Sequence, residues 1–166
     1  MSDQTGRFRL REHTADVAVE ASAPTLGATF AAVADGLAAA MCDDAPADGE
    51  RFAVTVTAES AEAALFDYLD TLIYERDVRS VLPVDNEATV SADGVTPDGA
   101  TGSHPDDGRV DAGDGRVDAD EWTVDASARG VPLAAVTARE VKAVTYSEMR
   151  VERAADGWRA YVVFDV

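Results

Sequence analysis

The sequence predicts an α+β fold: a two-layer sandwich in which two helices pack on one face of a mixed, mainly antiparallel β-sheet. Three observations carry that expectation. Two segments repeat apolar residues at helical spacing. Most of the others alternate apolar and polar residues, as half-buried strands do. The order runs strands, helix, strand, helix, then several strands, which suits layered packing around one core. With 166 residues, the chain is long enough for a single domain, 1–166, with a core of its own.

The elements follow in order. Phe8 and Leu10 alternate with Arg7, Arg9 and Arg11, a strand pattern. A polar link, Glu12-His13-Thr14-Ala15-Asp16, leads to a second short strand over Val17–Ala21. Pro24 suits a helix start. Leu26, Phe30, Val33, Leu37 and Met41 then form an amphipathic stripe. Asp43–Glu50 is a polar loop. Phe52, Val54 and Val56 mark a strand, and Ser60 is an N-cap for a second helix bearing Leu65, Leu69, Leu72 and Ile73. Val78–Val84 and Ala88–Ala92 read as two strands joined by a turn at Asp85-Asn86. Trp122, Val124, Ala126 and Ala128 alternate as another strand. Gly130–Glu140 is a connection with room for a helical turn. Val144–Arg153 and Trp158–Val166 form a closing hairpin about Asp156-Gly157.

The stretch from Asp93 to Asp120 breaks the pattern. It is rich in Gly, Asp and Pro and holds a seven-residue duplication, Asp107–Gly113 and Asp114–Asp120. Calcium-loop spacing fails there, because Val110 and Ala112 fall where oxygen ligands would be needed ahead of Gly115. An acidic inserted loop at about 93–118, grown by duplication, accounts for it.

Composition excludes several roles. The net charge is −18, from 32 acidic and 14 basic residues, and thirteen of those basic residues are Arg. Such a surface repels itself in dilute buffer. At molar salt the Debye length falls to roughly 3 Å and screens the repulsion, so a salt-adapted, halophilic protein is expected. The same charge argues against direct nucleic-acid binding, which needs a basic stripe. Cys42 is the single cysteine, so no internal disulfide forms and a reducing cytoplasm is expected. Met1–Arg11 lacks the apolar run of a signal peptide, and no apolar stretch of about 18 residues suits a membrane helix.

Three features could carry chemistry. His13-Thr14-Ala15-Asp16 clusters polar groups between two strands; it is either a turn held by Asp16 or part of a site. Lys142 survives alone in a chain that otherwise uses Arg, by chance or because a compact ammonium is needed. Asp165 is followed by the α-carboxylate of Val166; the two are either a solvated end or oxygen ligands for a hard cation. His104 lies in the inserted loop and is read as inert.

These same residues carry a resemblance. His13-Thr14-Ala15-Asp16 before a strand and helix, Glu140-Val141-Lys142-Ala143-Val144-Thr145-Tyr146, and Gly157-Trp158 through Phe164-Asp165-Val166 resemble the opening, second signature and close of the archeases. The likeness spans nearly the whole chain outside 93–118. It implies an activator protein, not an enzyme, that works with an RtcB-type RNA ligase in tRNA splicing and promotes ligase guanylylation and multiple turnover. It implies a divalent metal ion (Ca²⁺ or Mg²⁺, with Mn²⁺ a third option) on Asp16, Asp165 and Val166. His13, Lys142 and Tyr146 become candidates for ligase activation. tRNA would be met only through the ligase. Two other readings stand beside this one: a chaperone or specificity modulator of other RNA-processing enzymes such as tRNA methyltransferases, and a metal-dependent phosphoesterase, for which no general base is evident.

Overall fold

A computed structural model describes residues 6–12, 16–47, 49–92 and 121–166. Expectations for His13 and for the 93–118 insertion lie outside those residues. In chain order the elements are β1 (Arg7–Glu12), β2 (Asp16–Ala23), α1 (Leu26–Met41), β3 (Glu50–Ala58), α2 (Ala61–Arg79), β4 (Val81–Ala92), β5 (Trp122–Pro132), β6 (Ala143–Ala154) and β7 (Gly157–Asp165). A short 3₁₀ turn, Leu133–Ala135, follows β5.

The helices begin where local chemistry sets them. Thr25 accepts the Ala28 N–H on its side-chain oxygen at 3.1 Å and opens α1 one residue after Pro24. Ser60 does the same for α2, accepting from Ala63 at 3.0 Å. α2 runs on past Val78 and ends at Ser80, whose left-handed backbone stops it before β4.

The α+β class stands, with two helices. The strands, however, divide between two sheets instead of lying in one. The first has the order β1-β2-β7-β6 and the second β3-β5-β4, and every pairing among the described strands is antiparallel. The reason lies in α1. A helix packed on one sheet buries one stripe, yet thirteen of its sixteen residues are buried, so it must be covered on more than one side. It packs against β1, β2 and β7 of the first sheet and against β4 of the second. α2 packs on β3, β4 and β5 and reaches β6.

Two glycines let both sheets come close. Gly27 faces the β4 backbone at Ala88, and Gly36 faces Val19 of β2 and Phe8 of β1. Nine residues at about 100° each place them on opposite sides of the helix. Between them Phe30, Val33 and Leu37 are fully buried, with Phe30 stacked on Tyr68 of α2.

The Asp85-Asn86 segment is not a turn between two strands. β4 is continuous, and its register slips there: between the pairs Val84–Arg129 and Glu87–Ser127, two residues of β4, Asp85 and Asn86, face the single Ala128 of β5. That one extra residue is a β-bulge, with Asp85 in the left-handed region at φ 49°. A turn-forming pair read in sequence can equally serve a bulge, because both need the same backbone. Cys42 ends α1 and packs partly against the core, as a small apolar residue would. Among the described residues no helix is long and apolar enough to cross a membrane.

Gly-to-Ala substitution in an exposed helix stabilises by about 1 kcal/mol. At Gly27 the added methyl would meet the Ala88 carbonyl. Gly27→Ala is therefore expected to destabilise by about 1–3 kcal/mol, the cost of overpacking. Chemical denaturation at molar salt checks this; an unchanged or raised midpoint would show that α1 does not touch β4 so closely.

Candidate functional site

The site forms where the start of β2 meets the end of β7. Asp16 opens β2, Asp165 closes β7, and the two are direct partners across the antiparallel ladder. Residues so opposed point to the same face with Cβ atoms about 4.5–5.5 Å apart. The next pair inward is Val17 and Phe164. Phe164 is fully buried, worth about 1.5–3 kcal/mol for such a side chain. Because side chains alternate along a strand, burying Phe164 turns Asp165 to the opposite face.

The neighbouring strand completes the tip. Ala143 of β6 lies opposite Asp165, and the Lys142 N–H donates to the Asp165 carbonyl at 2.8 Å. Lys142 is exposed and Val166, beside Asp165, is 40% exposed. Asp16, Asp165, Lys142 and Val166 thus converge, although Asp16 and Lys142 come from opposite halves of the chain. Tyr146 does not join them directly. It starts a stretch of β6 out of register with β7, and its ring lies 5.3 Å from Phe66 of α2.

The acidic pair has a distinct electrostatic character. Like charges directly opposed in a ladder repel. Among the described residues neither carboxylate has an ion-pair or hydrogen-bond partner for its side chain. Both are only partly buried. Two open carboxylates suit a hard cation that keeps several waters. The described side chains form no group of three or more His, Cys, Asp or Glu able to hold a metal by themselves, so the pair would need further oxygen donors.

Sequence reading missed the residues that hold this tip. Arg139 donates its N–H to the Met41 carbonyl at 2.6 Å and its Nε to the Ala40 carbonyl at 3.0 Å, and pairs with Asp43 at 3.0 Å. α1 has no basic residue in its last turn; Arg139 supplies the cation that its terminal carbonyls favour. Arg76, in the last turn of α2, is 8% exposed and donates from Nη1 to the Val141 carbonyl at 3.0 Å. Neither contact has a local sequence signal, because the partners lie 99 and 65 residues away.

A second polar locus lies in an open cleft between α1 and β4, also unforeseen. The Asn86 backbone N–H and side-chain Nδ2 both donate to Asp35 Oδ1, at 3.0 and 2.9 Å, so α1 staples the bulge. Arg129 Nε donates to Asp85 Oδ2 at 2.7 Å, while Arg51 donates to the Asp85 carbonyl. Burial raises the Asp35 carboxyl above its ordinary value, against the two Asn86 hydrogen bonds that lower it.

Comparison with known proteins places these features in context. The sequence model of the archease protein family matches residues 8–166. The chain is 26% identical to a Methanosarcina acetivorans protein named archease, over all of both chains. It is 30% identical to the archease of Thermococcus gammatolerans, over 96% of this chain and 99% of that one. The fold matches the solution structure of Methanobacterium thermoautotrophicum protein 1598, with a TM-score of 0.65, 21% identity, and 99% and 100% of the two chains covered. It also matches a Thermotoga maritima crystal structure described as an archease and possible chaperone, with a TM-score of 0.54, 21% identity, and 95% and 96% covered.

The raised Asp35 carboxyl gives a pH prediction. Below 3.8, its ordinary value, folded and unfolded chains both carry the proton and no penalty arises. As pH rises through 3.8 and on through the higher folded value, the unfolded state ionises first and gains. Asp35→Asn keeps a carbonyl oxygen for Asn86 and removes that penalty. Its stability relative to wild type should therefore increase across that window and level off above it. Denaturation midpoints of the two proteins against pH test this; a stability of Asp35→Asn relative to wild type that stays flat or falls as pH rises would contradict it.

Proposed function

This chain belongs to the archease family, and we propose that it is an accessory protein of an RtcB-type RNA ligase, acting in the cytoplasm during tRNA splicing and maturation. In this reading it has no catalytic activity of its own. It docks its acidic tip beside the ligase nucleotide site and promotes guanylylation, so that the ligase turns over repeatedly. tRNA is reached through the ligase alone.

One observation supports the reading most directly. Asp16 and Asp165 oppose each other on one face, with Lys142 tied to the same strand end. Asp16, Asp165 and Val166 are given the role of oxygen donors for a divalent ion, and His13 is kept as a candidate for ligase activation. When bound, such an ion supplies positive charge for phosphate oxygens. Lys142 offers a compact ammonium to the same oxygens, where charge develops as pyrophosphate leaves. Tyr146, exposed and leaning on α2, presents an aromatic face to the partner.

A second reading draws on the Thermotoga maritima structure, described as a possible chaperone. In that reading the acidic tip of this chain modulates other RNA-processing enzymes such as tRNA methyltransferases, and ligase guanylylation does not respond.

Asp16→Ala and Asp165→Ala should each fold, since neither side chain is in the core, and should reduce stimulation of guanylylation by on the order of tenfold or more, as loss of groups around a metal does. Stimulation by either folded variant at the wild-type level would remove the tip from the mechanism.

A further inference from the structure

Lys142 is long and exposed, and flexible side chains position charge poorly unless their backbone is fixed. Its backbone lies just outside β6, in the irregular segment that follows the 3₁₀ turn. The ladder therefore does not fix it.

The peptide unit between Val141 and Lys142 is held from both sides instead. Its carbonyl, on Val141, accepts from Arg76 Nη1 of α2 at 3.0 Å. Its N–H, on Lys142, donates to the Asp165 carbonyl of β7 at 2.8 Å. A peptide unit is a rigid plane, so two hydrogen bonds at opposite edges fix its orientation. Only the Lys142 φ rotation then stands between the held plane and the side chain, so the direction in which the side chain leaves the backbone is restricted. Val141 itself is 1% exposed, which anchors the unit in depth.

Arg76 is suited to this task and otherwise hard to explain. A buried guanidinium is costly and persists where it is well paired. Its Nε and Nη2 both reach Asp77 Oδ1 at 3.0 Å, which orients the fork. The remaining nitrogen, Nη1, is left to point at the Val141 carbonyl, with Met41 Sδ 3.3 Å away. That donor satisfies the carbonyl of a buried residue.

We propose that Arg76 is a positioning residue, which fixes where Lys142 leaves the backbone beside Asp165 by holding the Val141 carbonyl from α2. The inference rests on the reading of the tip as the activating surface. The Arg76 side chain reaches Asp77, Met41 and the Val141 carbonyl and not the acidic pair; it acts through one peptide plane. α2 is thereby coupled to the tip, and a partner pressing on the exposed Tyr74 and Val78 of α2 would be felt at Lys142.

The test compares Arg76→Met, Arg76→Lys and Lys142→Ala with wild type, at molar salt, in ligase guanylylation and in amide hydrogen exchange. Arg76→Met should lower maximal stimulation by about tenfold or more, as small misplacements of working groups do, while the concentration giving half-maximal effect stays the same. The Lys142 amide should exchange faster, with the β2–β7 amides unchanged. Arg76→Lys should restore part of both, since an ammonium can reach the carbonyl but cannot keep the fork on Asp77. Should Arg76→Met not fold, Arg76→Lys alone carries the comparison, its expected signature being an intermediate loss with faster Lys142 exchange. Normal stimulation by the folded Arg76 variants, or a loss without change at the Lys142 amide, overturns the proposal. Normal stimulation by Lys142→Ala overturns it at the root, by removing Lys142 from the activating surface.

Discussion

The burial of α1 between two sheets is the constraint on which the rest of the structure depends. A sixteen-residue helix covered by β1, β2 and β7 on one side and β4 on the other needs small residues wherever backbone approaches. Gly27 and Gly36 meet that need on opposite sides. With α1 fixed, β2 and β4 are fixed relative to each other, and each sheet closes over its own side. The first sheet then has to take its remaining strands from the far end of the chain, which places β7 against β2. The meeting of Asp16 with Asp165 follows from that packing, not from any attraction between them.

That geometry sets two like charges face to face, in a chain whose net charge is −18. Repulsion at the tip is tolerated because the hydrophobic pairing just inside it, Val17 with Phe164, is secured by burial. The fold thereby holds open a place where positive charge is favoured. Lys142 stands next to it, and its backbone is gripped by α2 and β7 together. The tip is thus assembled from β2, α2 and the closing β6–β7 hairpin, three regions remote from one another in sequence.

The sequence made much of this legible, and its failures have physical causes. Periodicity and N-caps marked both helices, since Thr25 and Ser60 act locally. Alternation marked which strand faces are buried but could not say which strands pair, so eight strand segments, two of them parts of β4, read as one sheet. The asymmetry of α1 was overestimated for a related reason: alanine and glycine off the main stripe are compatible with solvent or with a second sheet. Asp85-Asn86 signalled a backbone change without saying whether it was a turn or a bulge. Asp16, Lys142 and Asp165 stood out in the sequence with a structural and a functional reading left open; family likeness gave them roles, and their juxtaposition was expected only in outline. Arg76 and Arg139 were invisible, because a long-range side-chain-to-carbonyl bond leaves no pattern in sequence.

The most direct test of this account is guanylylation of an RtcB-type ligase by GTP and a divalent ion at high salt, with and without a substoichiometric amount of this protein. The account predicts a guanylylated fraction well above the amount of protein added, because an activator is released and acts again. Unchanged guanylylation in the presence of folded protein would contradict it and give precedence to the chaperone or modulator reading.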